Sequence, residues 1–119
     1  MTNQEIFDKV YRHLLTQNEQ SYSDDIDLCL YRGPRGMSCA VGCLIPDEFY
    51  ISQIEGMTIG SLNKSLLVEI LTECGIGTDS YDLLERLQTI HDQAAINRWG
   101  EALRDVAATF NLTVPKMDV

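Results

Sequence analysis

Leu28-Cys29-Leu30-Tyr31-Arg32-Gly33-Pro34-Arg35-Gly36-Met37-Ser38-Cys39-Ala40-Val41-Gly42-Cys43-Leu44-Ile45 is the stretch on which the fold turns. Residues 28–31 form a short apolar run. Gly33-Pro34-Arg35-Gly36 is dense turn chemistry. Residues 37–45 form a second apolar run rich in small side chains. The pattern predicts a central β-hairpin with a loop of about four residues. Gly42 inside the second run predicts a bulge or a close backbone approach. Both runs are apolar on both faces, so the hairpin is expected to lie between helices or to gain a third strand. Short apolar strands also leave edges that could pair in a homodimer.

Outward from this segment the chain reads as helical. Before it, Thr2 and Glu5 make a capping box, and Ile6, Phe7, Val10, Tyr11, Leu14 and Leu15 recur at helical spacing. After it, Pro46-Asp47-Glu48 reads as a helix start lasting a single turn, through Phe49 or Tyr50. Residues 51–60 look irregular. Ser61 or Asn63 then caps a helix carrying Leu66, Leu67, Ile70, Leu71 and Cys74, with Gly75 as a left-handed C-cap. Asp79 or Ser80 caps the next, with Leu83, Leu84, Leu87 and Ile90 inward. Ile96, Trp99, Leu103, Val106 and Phe110 mark the last, which Asn111 ends. The expected fold is α+β: an N-terminal helix, the hairpin, and three C-terminal helices in one domain over residues 1–119.

Composition narrows the function classes. The 119 residues are 45% hydrophobic and 23% charged, ordinary for a globular chain. The longest apolar runs are too short to span a membrane. No basic patch precedes an apolar stretch at the N-terminus, so a secretory signal is not expected and a cytoplasmic setting is. The net charge is −9, from 18 acidic and 9 basic residues. That speaks against direct binding of nucleic acid, which needs clustered Lys and Arg. It suits solubility or docking onto a basic surface. Cys29, Cys39, Cys43 and Cys74 read as buried thiols. The spacing of Cys39 and Cys43 is not that of a zinc knuckle, and on one strand they would stand about 13 Å apart. Neither a metal nor another cofactor is expected.

Two stretches, Leu30-Tyr31-Arg32-Gly33-Pro34 with residues 39–50, and Leu87-Gln88-Thr89-Ile90-His91-Asp92 with Trp99 downstream, resemble a group of small uncharacterised proteins from bacteria and their phages. The resemblance covers most of the chain in the same order. It carries no activity to transfer. It implies a small protein acting in the cytoplasm, the host's if phage-encoded. In that setting, proteins of this size often block a host defence by binding an enzyme or sequestering its signal.

Three groups of residues are candidates for chemistry. Arg32 and Arg35 flank Gly33-Pro34 and could clamp a phosphate or carboxylate; the plainer account is a solvated turn whose arginines pair with surface acids. Asp47 and Tyr50 could contact a ligand, although acids at a helix start already match the dipole. His91 with Asp92 could bind or exchange a proton; the plainer account is a packed histidine bonded to the backbone. A thiol of Cys39 or Cys43 paired with His91 lacks the local signature of a cysteine hydrolase, and no catalytic residue is assigned. Three functions follow. The first is a binding protein that captures a small anionic, nucleotide-like ligand with Arg32, Arg35, Asp47, Tyr50, His91 and Asp92. The second is an acidic inhibitor occupying the basic, nucleic-acid-binding groove of a host defence protein. The third is a small Cys/His enzyme. The expectation is that the protein binds and does not catalyse.

Overall fold

The computed structural model describes residues 1–25, 28–57 and 66–116. Four α-helices are present among them: α1 (Asn3–Gln17), α2 (Leu66–Glu73), α3 (Tyr81–Gln93) and α4 (Trp99–Thr109). The N-terminal helix and three C-terminal helices are as the spacing predicts. The expected caps of α2, Ser61 and Asn63, lie outside the described residues.

Local chemistry explains the helix ends. Thr2 Oγ1 accepts from the Glu5 amide while Glu5 Oε1 accepts from the Thr2 amide, satisfying two of the free donors at the start of α1. Gly75 has φ +81°, and the amides of Gly75 and Ile76 return to the carbonyls of Thr72 and Leu71, which closes α2 in the Schellman pattern. Asn111 and Leu112 close α4 in the same way, on Ala108 and Ala107. Ser80 precedes α3, but its hydroxyl caps nothing there; it donates to Asn3 Oδ1 and ties α3 to α1. The core joins Ile6, Phe7 and Leu14 of α1 with Leu83, Leu84 and Leu87 of α3 and Trp99 and Leu103 of α4. Ile96, expected inward, is 37% exposed, because it sits in a 3₁₀ turn ahead of α4.

The central hairpin is not found. Residues 28 and 29 do form a strand, but β2 (Leu28–Cys29) pairs antiparallel with β1 (Tyr22–Ser23), in register Tyr22 to Cys29. Residues 37–45 contain no strand; a 3₁₀ turn covers Gly42–Leu44. The class is therefore largely helical and not α+β. The apolar run is continuous because the segment is a buried coil threaded among helices. Cys39, Ala40, Val41, Leu44 and Ile45 are each at most 2% exposed.

Backbone buried in this way must find hydrogen-bond partners without a sheet, and side chains supply them. Ser38 accepts from His13 Nε2 and Gln17 Nε2 and donates to Gln17 Oε1. The Val41 amide donates to Gln88 Oε1 of α3, and the Gly42 amide to Cys39 Sγ. The carbonyls of Gly42 and Ile45 accept from Arg32. Gly42 permits the close approach its position predicts: a Cβ there would stand 2.2 Å from the Tyr31 carbonyl oxygen.

Two outcomes follow. Gly42→Ala should cost about 2 kcal/mol or more in denaturant unfolding, since the clash is with backbone. Gly36→Ala meets open space and only the penalty of φ +74°, about 1 kcal/mol; equal costs would contradict the close approach. Burial pushes the His13 imidazole below its ordinary 6.5, a shift that the hydrogen bond to Ser38 opposes. A folded value below the unfolded one gives stability that is complete above the ordinary value and is lost as pH falls through it. The melting temperature of His13→Gln should therefore depend less on pH between 7.5 and 5.5 than that of the parent chain; parallel curves would refute the linkage.

Candidate functional site

Five of the six predicted site residues fall into two clusters, Arg32 with Asp47 and Tyr50 and His91 with Asp92, and one, Arg35, stands apart on the surface. The first cluster is built on Arg32, which lies in the irregular segment after β2. Its Nη1 donates to Gly42 O at 2.6 Å, and its Nη2 donates to Ile45 O and to Asp47 Oδ1, the latter at 3.0 Å. The guanidinium also covers the Tyr50 ring, 5.0 Å from its centroid, a cation–π arrangement. Arg32 is 23% exposed, whereas its partner Asp47 is 99% exposed. Glu55 completes the group. Its carboxylate accepts from the Tyr31 amide at 2.8 Å, the Arg32 amide at 3.1 Å and the Tyr50 hydroxyl at 2.6 Å. Burial, and then the Glu55 carboxylate, push the Tyr50 hydroxyl up to about 12. Arg32, Asp47 and Tyr50 thus do meet, but they meet around the chain's own backbone.

Arg35 is not part of this group. It sits at φ 58° in the turn Pro34–Gly36, is 72% exposed, and pairs with Glu19 at 3.1 Å. The open groove beside it, about 470 Å³, is bordered by Asp24, Asp25 and Ile96. An anion would meet more carboxylates there than cations.

The second cluster is built on His91 in the last turn of α3, fully buried and 5.7 Å from the Trp99 ring. Its Nε2 lies 2.9 Å from the Ser21 amide and its Nδ1 2.7 Å from Asp92 Oδ1. A backbone amide can only donate, so Nε2 carries the lone pair and Nδ1 the proton, which it gives to Asp92. Gln20 Nε2 reaches the carbonyls of His91 and Asp92. Ser21, itself buried, exchanges hydrogen bonds with Leu30 through Oγ and O. The short loop after α1 is thereby fastened to the end of α3.

Cys29, expected to be one of the ordinary buried thiols, joins this second cluster. Its Sγ, a ring nitrogen of His91 and a carboxylate oxygen of Asp92 lie within 4.8 Å of one another. These are zinc-type donors, yet the proton assignment opposes a metal. Nδ1 would have to give up its proton while Nε2 still accepts from Ser21, leaving an imidazolate. The same lone pair, spent on Ser21, cannot take the thiol proton. Burial and then Asp92 push Cys29 up to about 12, far from a thiolate nucleophile. Burial also raises Cys43, to about 12, and raises Cys39 strongly. Among the described residues, every buried side-chain nitrogen or oxygen has a hydrogen-bond partner.

The sequence reading missed Glu55, Ser21, Gln20 and Cys29. Glu55 had a signal, as an acid set between apolar Ile54 and the turn at Gly56. The other three had none, because their role depends on the end of α3 arriving from about 70 residues away. Compared with known protein families, curated proteins and solved structures, the chain matches none.

The four thiols should label slowly with iodoacetamide at pH 7.5 in the folded protein, each at no more than the rate of an ordinary cysteine. Rapid labelling of Cys29 would restore the thiol–imidazole reading. His91→Leu comes close to the imidazole in volume and orphans the Ser21 amide; it should lose about 2–3 kcal/mol of stability, and an unchanged unfolding midpoint would contradict the proton assignment.

Proposed function

We propose that this is a non-enzymatic interaction protein whose acidic surface docks onto a basic surface of a partner protein. The observation that carries the reading is the direction in which charge points. The polar groups best suited to chemistry, Arg32, Glu55 and His91, are spent on the chain's own backbone. The acids meanwhile stand outward on every helix, among them Glu5, Glu69, Glu85 and Asp105. With a net charge of −9, such a surface speeds encounter with a cationic partner and selects against anionic ones.

A nucleic-acid-binding groove is a large basic surface of this kind, and an acidic domain seated there would exclude the nucleic acid. That the groove belongs to a host defence protein is part of the proposal. Capture of a small anion has less support. Its expected ligands, Arg32 and His91, would first have to abandon the hydrogen bonds that hold residues 37–45 and Ser21. No helix among the described residues is long and apolar enough to cross a membrane.

Affinity capture from the native cell, followed by titration of the recovered partner, tests the reading. The affinity should fall more than about tenfold between low and moderate salt, and DNA should compete. Salt-independent association would overturn electrostatic docking. Recovery of a nucleotide that raises the melting temperature, with no protein, would favour the small-ligand alternative.

A further inference from the structure

α3 and α4 pack against each other and leave an open cleft of about 590 Å³ along their outer side. Its floor is apolar: Ile90 from α3, with Ala102, Val106 and Phe110 from α4 and its end. Its rim is acidic on both walls, Asp82 and Glu85 on one and Asp105 on the other, against the single cation Arg86. None of these three carboxylates forms an ion pair with another described residue. In this respect the cleft differs from the Arg32 and His91 clusters, where the polar groups are satisfied internally.

We propose that this cleft is the docking site for a basic amphipathic helix of the partner protein, an inference that rests on the docking reading above and names its surface. The occupant's chemistry follows from the walls. The backbone groups of α3 and α4 are bonded within their own helices, so no strand edge is offered for an extended peptide to pair with. An occupant burying its backbone here must satisfy it by itself, which a helix does. Apolar side chains at i, i+3, i+4 and i+7 would seat on Ile90 and Val106, and flanking Lys or Arg would meet the rim acids. The described segment after α4 is drawn elsewhere: Gln4 accepts from the Thr113 amide and donates to its carbonyl, both at 2.9 Å, which holds Thr113 against α1. A second copy of the chain would bring like charge to the rim.

The probe is a fluorescein-labelled Leu/Lys peptide of about 14 residues patterned as an amphipathic helix, with a shuffled peptide of the same composition as control. Two triple charge reversals change net charge equally: Asp82→Lys, Glu85→Lys and Asp105→Lys at the rim, and Asp24→Lys, Glu48→Lys and Glu69→Lys, exposed residues that do not line the cleft. The rim triple should lose at least about tenfold in affinity and the distant triple less than about threefold, because contact charges outweigh screened remote ones. Ala102→Glu makes the protein more acidic but puts a charge on the floor, and it too should weaken binding. Far-ultraviolet circular dichroism confirms that each variant is folded. If the rim triple fails to fold, Ala102→Glu alone decides: weaker binding supports the cleft and tighter binding overturns it. Equal losses from the two triples, equal binding of the shuffled peptide, or no binding of the patterned one would also overturn the cleft. Those results would leave the salt dependence of the captured partner to judge the docking reading separately.

Discussion

The buried coil at residues 37–45 places on this chain a demand that a sheet would have met automatically. Its Ser38 amide and carbonyl, its Val41 and Gly42 amides, and its Gly42 and Ile45 carbonyls all find partners in side chains: His13 and Gln17 of α1, Gln88 of α3, Cys39 and Arg32. Each buried backbone group left unpaired would cost about 1–3 kcal/mol, so losing a few would rival the net stability of a small domain. The arrangement of polar residues around the coil is therefore set by the fold first. Arg32 reaches two carbonyls with one planar fork, which a lysine cannot reproduce. Glu55, in turn, fixes the backbone from which Arg32 projects.

That constraint explains which parts of the fold could be read from sequence. The helices were legible because their signals are local: the Thr2–Glu5 capping box, the left-handed Gly75, and the three- and four-residue spacing of Leu83, Leu84, Leu87 and Ile90. The coil was not, because an apolar run buried on every side looks the same whether its hydrogen bonds run to a neighbouring strand or to Gln17, Gln88 and Arg32. The small residues Ser38, Cys39, Ala40 and Gly42 carried the only hint, since close packing of backbone against backbone needs them more than a strand does. At the candidate site, grouping Arg32 with Asp47 and Tyr50 was within reach of sequence, as was grouping His91 with Asp92. The direction each group faces was not, because it depends on Ser21 and Glu55 arriving from distant segments.

The inward use of these groups also decides how the surface should be read. His91 would normally attract attention as an acid–base residue beside a thiol and a carboxylate. Ser21 holds its one lone pair, and Cys29 is pushed toward the protonated form, so the trio behaves as a fastening between the loop after α1 and the end of α3. What the chain offers outward is carboxylates, and along α3 and α4 they border an apolar floor. The proposal of docking rests on that division.

The most direct measurement is denaturant unfolding of Arg32→Lys beside Arg35→Lys, two changes that preserve charge. If the Arg32 guanidinium is spent on the Gly42 and Ile45 carbonyls, its replacement should cost about 2–4 kcal/mol, while Arg35→Lys should stay within about 0.5 kcal/mol. An Arg32→Lys protein that unfolds at the same denaturant concentration as its parent would contradict the account, and would return Arg32 to the list of groups free to hold a ligand.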